Sequence, residues 1–191
     1  MEDGMFSLNE KVVYPGHGVA RINRLIKKTM AGKESTFYEL TFLSKDVTVL
    51  VPTQNAEAVG LRPLSSQEHI KIVLATLTEP VKRTNPYEST ASNWNKRNKE
   101  YQTKLRTGSI KDLLEIYRDL RSIATQKELS FGEKSLLHQA ETLLVEEIAL
   151  VRHTTTENVL EELRGLYAIP RHKSQISPSL LHSYCRPAKS N

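Results

Sequence analysis

The chain has little cysteine and no long apolar run, and both absences narrow its class. Its 191 residues include one cysteine, Cys185, which excludes an internal disulfide and a cysteine metal cluster and fits a reducing cytosol. Its longest apolar runs, such as 72–75 and 148–151, are far shorter than the roughly 20 residues of a membrane-spanning helix. The first residues are acidic and lack an apolar core, so we expect no signal peptide. We therefore expect a soluble, cytoplasmic protein.

The sequence motifs of common enzymes are also missing. The chain contains no glycine-rich dinucleotide or phosphate loop, no G-x-S-x-G and no H-E-x-x-H, which are short motifs that carry defined chemistries. No two of its six histidines are three or four residues apart, so no helix face presents a pair of metal ligands. We predict a protein that is not an enzyme, with no catalytic residue, no metal site and no cofactor.

What the chain does have is a concentrated positive charge. Its net charge is +5. Residues 82–118 contain nine Lys and Arg but only four Asp and Glu, so this fifth of the chain carries the whole excess. Nucleic acid is a natural partner for such a patch, because neutralising phosphates releases counterions. Judged on charge alone, a solvated surface with an excess of Lys and Arg is about equally good an explanation.

The first 64 residues have the pattern of short strands separated by turns. Val47, Val49 and Val51 share one face of the last segment by its period of two. Leu50 lies on the opposite face, so it either meets a second layer or is exposed where a partner could add a strand. The spacing of strands and turns predicts a small antiparallel barrel or sandwich. The predicted extended segments are 11–14, 19–26, 36–43 and 47–51.

From residue 65 the apolar period becomes helical. Ser65 with Glu68, and Ser130 with Glu133, have the spacing of capping boxes that begin helices. Short connections indicate a compact helical bundle, and the composition beyond residue 170 is that of a flexible tail. The predicted helices are 65–77, 93–107, 109–123, 130–151 and 157–168.

The most distinctive local feature is the segment Asn-Trp-Asn-Lys-Arg-Asn-Lys at 93–99. It places the only tryptophan, Trp94, beside three basic residues at the start of a predicted helix. A large apolar side chain there could wedge at a distorted base step or stack on an unpaired nucleobase, while the basic side chains hold phosphates. The alternative is that Trp94 packs into the bundle and the bases are solvated. The three basic residues are Lys96, Arg97 and Lys99.

Four motifs, in order across residues 6–152, resemble the CarD (also called CdnL) family of bacterial RNA polymerase-binding transcription regulators. The resemblance implies a Tudor- or SH3-like barrel that docks on the polymerase β subunit, followed by a helical domain that contacts promoter DNA. The motifs are VVYPGHGV at 12–19, TVLVPTQNAEAVGLR at 48–62, SNWNKR at 92–97 and LSFGEK at 129–134.

The resemblance also implies roles for particular residues. Trp94 matches a wedge inserted in the minor groove at the upstream edge of the melted bubble. Arg97, Lys99 and Lys134 match positions that hold the DNA backbone, and Lys96 lies among them. The polymerase-facing surface corresponds to Lys28, Leu50 and Pro52. Some relatives have Arg at the position of Leu50, so the contact here is expected to be apolar rather than ionic.

The sequence thus predicts an α+β chain in which a small antiparallel β-barrel precedes an all-α bundle. We expect a monomer that binds no membrane, contacts promoter DNA largely without sequence specificity and associates with the nucleoid through the polymerase. The alternative function is a protein–protein adaptor with a Tudor-like module and no functional DNA contact. The predicted domains are 1–64, which binds polymerase, 65–153, which is helical and contacts DNA, and 154–191, a short helix and a flexible tail.

Overall fold

The computed structural model describes residues 6–30, 33–78 and 91–168. Within these ranges, five strands form one antiparallel sheet and five α-helices follow it. The predicted α+β class, with the sheet first and the helices second, is confirmed. The strands are β1 (Lys11–Tyr14), β2 (Gly18–Met30), β3 (Lys33–Phe42), β4 (Thr48–Pro52) and β5 (Arg62–Pro63). The helices are α1 (Gln67–Ala75), α2 (Ala91–Thr107), α3 (Ile110–Ala124), α4 (Phe131–Arg152) and α5 (Thr156–Ala168).

The strand order is β4-β3-β2-β1-β5, with every neighbouring pair antiparallel. Among the described residues β4 and β5 do not pair with each other, so the predicted barrel is an open sheet. The sequence pattern missed β5, which is two residues long and pairs with β1 at Val12 and Val13. A segment this short has no period to recognise.

Alternation along β4 places its residues as predicted, with one exception. Val51 is buried in the core of the sheet, whereas Leu50 is 38% exposed on the other face. Val47, which was predicted to lie in the strand on the same face as Val49 and Val51, is exposed. This prediction was wrong because β4 begins at Thr48, so Val47 lies in the turn before the strand.

The helical bundle has its own core, built mainly from α3 and α4. Helix α5 packs its apolar side chains Val159, Leu163 and Leu166 into this core, although they lie beyond residue 153, where the sequence placed the end of the helical domain. The domain boundaries themselves stay predictions. The expected flexible tail after residue 170 and most of the segment between the predicted helices 65–77 and 93–107 lie outside the described residues.

The two predicted capping boxes have different outcomes. The box of Ser130 with Glu133 is present at the start of α4. The box of Ser65 with Glu68 is wrong, because the N-cap of α1 is Ser66, whose side chain accepts a hydrogen bond from the His69 amide. The amide of Ser65 instead donates to the Glu147 carboxylate at 2.9 Å. This long-range contact is invisible to a local pattern.

Candidate functional site

Trp94 lies near the start of α2, where this helix meets the start of α4. Its side chain is partly buried and packs against the helical core. The ring also lies against Gly132, where an added Cβ would be only 3.0 Å from the tryptophan Cζ2 atom. Glycine therefore lets the indole approach the backbone of α4 closely. The ring therefore packs on the bundle, as one of the two alternatives from the sequence expects, and keeps some exposed surface; the DNA contact of the other alternative stays a prediction.

Arg97, one turn after Trp94, is bound to the capping box of α4. Its Nη2 atom donates to Glu133 Oε1 at 3.2 Å, and the Ser130 amide donates to Oε2 of the same carboxylate at 2.9 Å. Lys127 Nζ lies 3.4 Å from Oε1. Glu133 thus joins α2, α4 and the preceding loop through one buried carboxylate.

The contacts of Glu133 decide its ionisation. Burial by itself would raise the pKa of Glu133, but hydrogen bonds from Ser130 and the positive charge of Lys127 outweigh it and lower the pKa below its ordinary value. Glu133 is therefore ionised at neutral pH. Arg97, predicted to hold the DNA backbone, is accordingly also a structural partner of this carboxylate in the free protein.

The remaining predicted DNA-contacting cations are on exposed surfaces. Lys96 and Lys99 are exposed on the side of α2 away from the bundle, and neither forms an ion pair with the residues that the structure describes. Lys134 is exposed on α4, where its Nζ atom lies 2.7 Å from Glu128 Oε1. The two lysines of α2 are available for phosphates directly, whereas Lys134 has to exchange a carboxylate for a phosphate.

Phe131 is an apolar residue of this surface that the sequence interpretation did not single out. It is the first residue of α4 and is 90% exposed. It directly precedes Gly132, on which Trp94 packs. One signal could have identified it. Phe131 falls outside the apolar stripe through Leu136 and Ala140, so the bundle does not bury it.

The residues predicted to face the polymerase share one face of the sheet. Leu50 and Pro52 are on the edge strand β4, and Lys28 is on β2. Cross-strand partners lie on the same face of a sheet, and so do residues two apart on one strand. On β3, Lys28 pairs with Ser35, Pro52 pairs with Phe37 and Leu50 pairs with Glu39. These three partners are spaced two residues apart along β3, so Lys28, Pro52 and Leu50 share one face.

An ion pair borders Leu50 on this face. Glu39, the cross-strand partner of Leu50, accepts hydrogen bonds from Arg24 Nε and Nη2, both at 3.0 Å. Because the two charges neutralise each other, the surroundings of Leu50 carry little net charge. Within the described residues β4 pairs with β3 alone, so its outer edge offers backbone groups to a partner.

Two kinds of feature are absent from the ranges 6–30, 33–78 and 91–168. No group of three or more His, Cys, Asp or Glu side chains there could hold a metal ion. No helix there has the length and apolar character needed to cross a membrane.

Comparison with known proteins supports the two-part organisation. A family model described as "CarD-like/TRCF RID domain" matches residues 6–65, and one described as "CarD, C-terminal domain" matches 73–164. The chain is 25% identical over 156 residues to "Putative transcription factor YdeB" of Bacillus subtilis (strain 168), an alignment that covers 81% of this chain and 97% of that protein. The solution NMR structure of the 72-residue N-terminal domain of Myxococcus xanthus CarD is 31% identical, with a TM-score of 0.27. The alignment covers 33% of this chain and 89% of the Myxococcus xanthus domain.

The two matched models follow each other along the chain and correspond to the sheet and the helical bundle. A polymerase-interacting module followed by a CarD-type helical domain defines a transcription regulator, a class not known for enzymes. The chain belongs to the CarD/CdnL family of bacterial RNA polymerase-binding transcription regulators.

Proposed function

We propose that this protein docks on the β subunit of RNA polymerase and stabilises the promoter open complex through Trp94. The observation that carries the proposal is the aromatic and basic surface where α2 and α4 begin. On it, a half-buried tryptophan and an exposed phenylalanine adjoin exposed lysines. Apolar wedges flanked by cations are the usual means of holding a distorted DNA minor groove.

On the DNA side, the packing of Trp94 against Gly132 makes it a stiff wedge. Its exposed part enters the minor groove at the upstream edge of the bubble, and Phe131 supplies a second apolar contact beside it. Lys96 and Lys99 hold backbone phosphates from the outer side of α2. This division predicts affinity that depends on salt and little direct reading of sequence.

The energy required of the wedge is small. A melted bubble closes by regaining base stacking, and a wedge at its upstream edge must be expelled before the strands pair again. A contribution of about 1.5 kcal/mol to the open complex shifts this equilibrium roughly tenfold. Weak intrinsic DNA binding suffices, because docking on the polymerase gives the helical domain a high effective concentration at the promoter.

On the polymerase side, the face of Lys28, Leu50 and Pro52 lies beside the open edge of β4. A strand of the partner can pair with this edge through backbone hydrogen bonds, while the exposed Leu50 side chain adds an apolar contact. The β subunit supplies that strand in this proposal.

The test is the lifetime of the open complex at a weak promoter, measured with polymerase and the full chain. We expect Phe131→Ala and Trp94→Ala each to shorten it towards the value without the protein, with binding to the β subunit unchanged. Phe131→Ala is the cleaner variant, because this side chain buries almost nothing and its removal should leave the melting temperature unchanged. Trp94→Phe is the graded control and should retain part of the effect.

The same assay separates this function from that of an adaptor. A DNA-contacting regulator loses its effect on the lifetime steeply as salt rises, and it needs the aromatic surface. If both alanine variants leave the lifetime and its salt dependence as in the wild type, the surface has no DNA role and the adaptor is the better description.

A further inference from the structure

A buried ion pair joins the sheet to the helical bundle. Arg62, in β5, donates to Glu147, in α4, from Nη1 to Oε1 and from Nη2 to Oε2, both at 2.8 Å. The side chains are only 23% and 2% exposed. Arg62 also donates to the Gly108 carbonyl oxygen, from Nε at 3.1 Å and from Nη2 at 2.5 Å. One guanidinium therefore ties β5 to α4 and to the turn between α2 and α3.

Glu147 also holds the segment that connects the two units. Its Oε1 atom accepts the amide of Ser65 at 2.9 Å, and Ser65 lies between the end of β5 and the start of α1. The segment between β5 and α1 cannot change its orientation without breaking this hydrogen bond. The same carboxylate thus fixes both the last strand and the connecting segment.

Close backbone contacts surround the ion pair. Gly108 has a φ of +63°, and a Cβ built there would lie 3.0 Å from Pro15 in the β1–β2 turn. Gly18 has a φ of +107°, and a Cβ there would overlap the Glu146 carboxylate. A side chain at Gly108 would require Pro15 to shift, and one at Gly18 would displace the Glu146 carboxylate. The fit between them is therefore close on both sides of the Arg62–Glu147 pair.

Helix α4 connects this junction to the proposed DNA surface. Trp94 packs on Gly132 in its first turn, and Glu147 is 15 residues further along, which is about 22 Å at the rise of an α-helix. Over that length a rotation of about 10° at the junction displaces the far end by roughly 4 Å, a distance similar to one base step. Small angular freedom at Glu147 thus becomes a large displacement of the tryptophan.

We propose that Arg62 and Glu147 are positioning residues that fix where Trp94 lies relative to the polymerase-docking face. This inference rests on the proposed function. Tethering alone keeps Trp94 near the promoter, but a wedge acts at one base step. The ion pair restricts the helical domain to the orientation in which Trp94 meets the edge of the bubble.

The first test measures the junction without DNA or polymerase. Spin labels at Glu34→Cys and Gln102→Cys, both exposed positions, report the distance between the sheet and α2 in a Cys185→Ser background. We expect one narrow distance distribution, which becomes broad in Glu147→Gln. The matched control is Glu141→Gln, which breaks another two-bonded pair of α4, with Arg164, that has no part in the junction. A distribution that stays narrow in Glu147→Gln overturns the inference.

The second test measures function with the unlabelled full chain. Glu147→Gln should shorten the open-complex lifetime about fivefold or more, with unchanged affinity for the isolated β subunit and for free DNA, while Glu141→Gln should match the wild type. A broad distribution with a wild-type lifetime overturns the positioning role. If the wild type itself does not extend the lifetime, the proposed function fails, which is a different result.

A variant of the other partner keeps the tests decisive if Glu147→Gln fails to fold. Arg62→Lys retains the charge but cannot form the two-pronged contact or reach the Gly108 carbonyl at the same time. It should give the same broad distribution and the same short lifetime. A narrow distribution and a wild-type lifetime in Arg62→Lys would equally overturn the inference.

Discussion

The sheet face proposed to dock on the polymerase and the aromatic and basic surface where α2 and α4 begin are tied to the fold in different ways. On the sheet, the positions of Lys28 and Leu50 depend on backbone register, and Lys28 forms no ion pair with the described residues. On the helices, Trp94 packs on the core and Arg97 is bound to Glu133. The sheet face can therefore change its contacts without changing the fold, whereas part of the helical surface carries stability and proposed function together.

The period of α2 explains why only part of the helical surface behaves in this way. Trp94, Arg97 and Tyr101 follow the spacing of one helix face, and this face is turned towards the bundle. Lys96 and Lys99 lie on the outer face. Removing the side chains of two neighbouring basic residues, Lys96 and Arg97, should thus affect different properties, DNA binding for Lys96 and stability for Arg97.

The largest expected effect is the loss of stability in Arg97→Ala. Removing the guanidinium leaves the buried Glu133 with Lys127 and Ser130 as partners, so we expect a loss of about 2 kcal/mol in the free energy of unfolding. Lys96→Ala should leave the free energy of unfolding unchanged and reduce the slope of DNA affinity against salt by about 1. Urea denaturation and salt-dependent binding measure the two quantities. Equal stabilities for the two variants would contradict the distinction between the faces of α2.

Leu50→Glu tests the other side of the comparison. A carboxylate at an apolar contact is costly, so we expect affinity for the β subunit to fall about tenfold, equivalent to roughly 1.4 kcal/mol, with an unchanged melting temperature. Val59→Glu is a matched control, because Val59 is 36% exposed and lies outside β4. A folded Leu50→Glu protein with wild-type affinity would show that Leu50 is not in the docking surface.

The sequence predicted what local patterns determine. The capping box of Ser130 with Glu133 and the position of Leu50 on the face opposite Val51 follow from spacings of three and two residues. The contacts that organise the surfaces are not local: Arg97 is 36 residues from Glu133, and Arg62 is 85 residues from Glu147. Such pairs depend on how helices and strands pack, which no single-segment period reports. The strand β5, which carries Arg62, was missed because a two-residue segment has no period to recognise.

Glu133 and Glu146 should give pH dependences of opposite sign. The pKa of Glu133 is lowered below its ordinary value of 4.5, so its stabilisation is present above that pH and is lost as the pH falls through the lowered pKa. Burial raises the pKa of Glu146, against hydrogen bonds from Ser44 and Val19. The stability associated with the neutral Glu146 side chain is therefore present at low pH and is lost as the pH rises through the raised pKa.

Glutamine variants measure the two dependences separately. Glu133→Gln should be less stable than the wild type at pH 7, and the difference should shrink as the pH falls below the lowered pKa. Glu146→Gln should be more stable than the wild type at pH 7 and should lose this advantage on acidification. Thermal melting between pH 3 and pH 8 provides the data. Parallel curves for the two variants would show that these carboxylates do not set the pH dependence.

The smallest expected effect is a gain in DNA binding in Glu128→Gln. Glu128 is exposed, and it holds Lys134, the one cation of the predicted DNA set on α4, at 2.7 Å. The hydrogen bond and charge of Lys134 lower the pKa of Glu128, so this carboxylate is ionised at neutral pH and competes with a phosphate. Exposed ion pairs are weak, and its removal should therefore strengthen DNA binding by only about twofold, most clearly at low salt. In Lys134→Gln the same change should have a smaller effect, because no cation remains to be released. A Glu128→Gln gain of equal size with and without Lys134 would show that Glu128 acts only through the net charge of the surface and that Lys134 is not a phosphate contact.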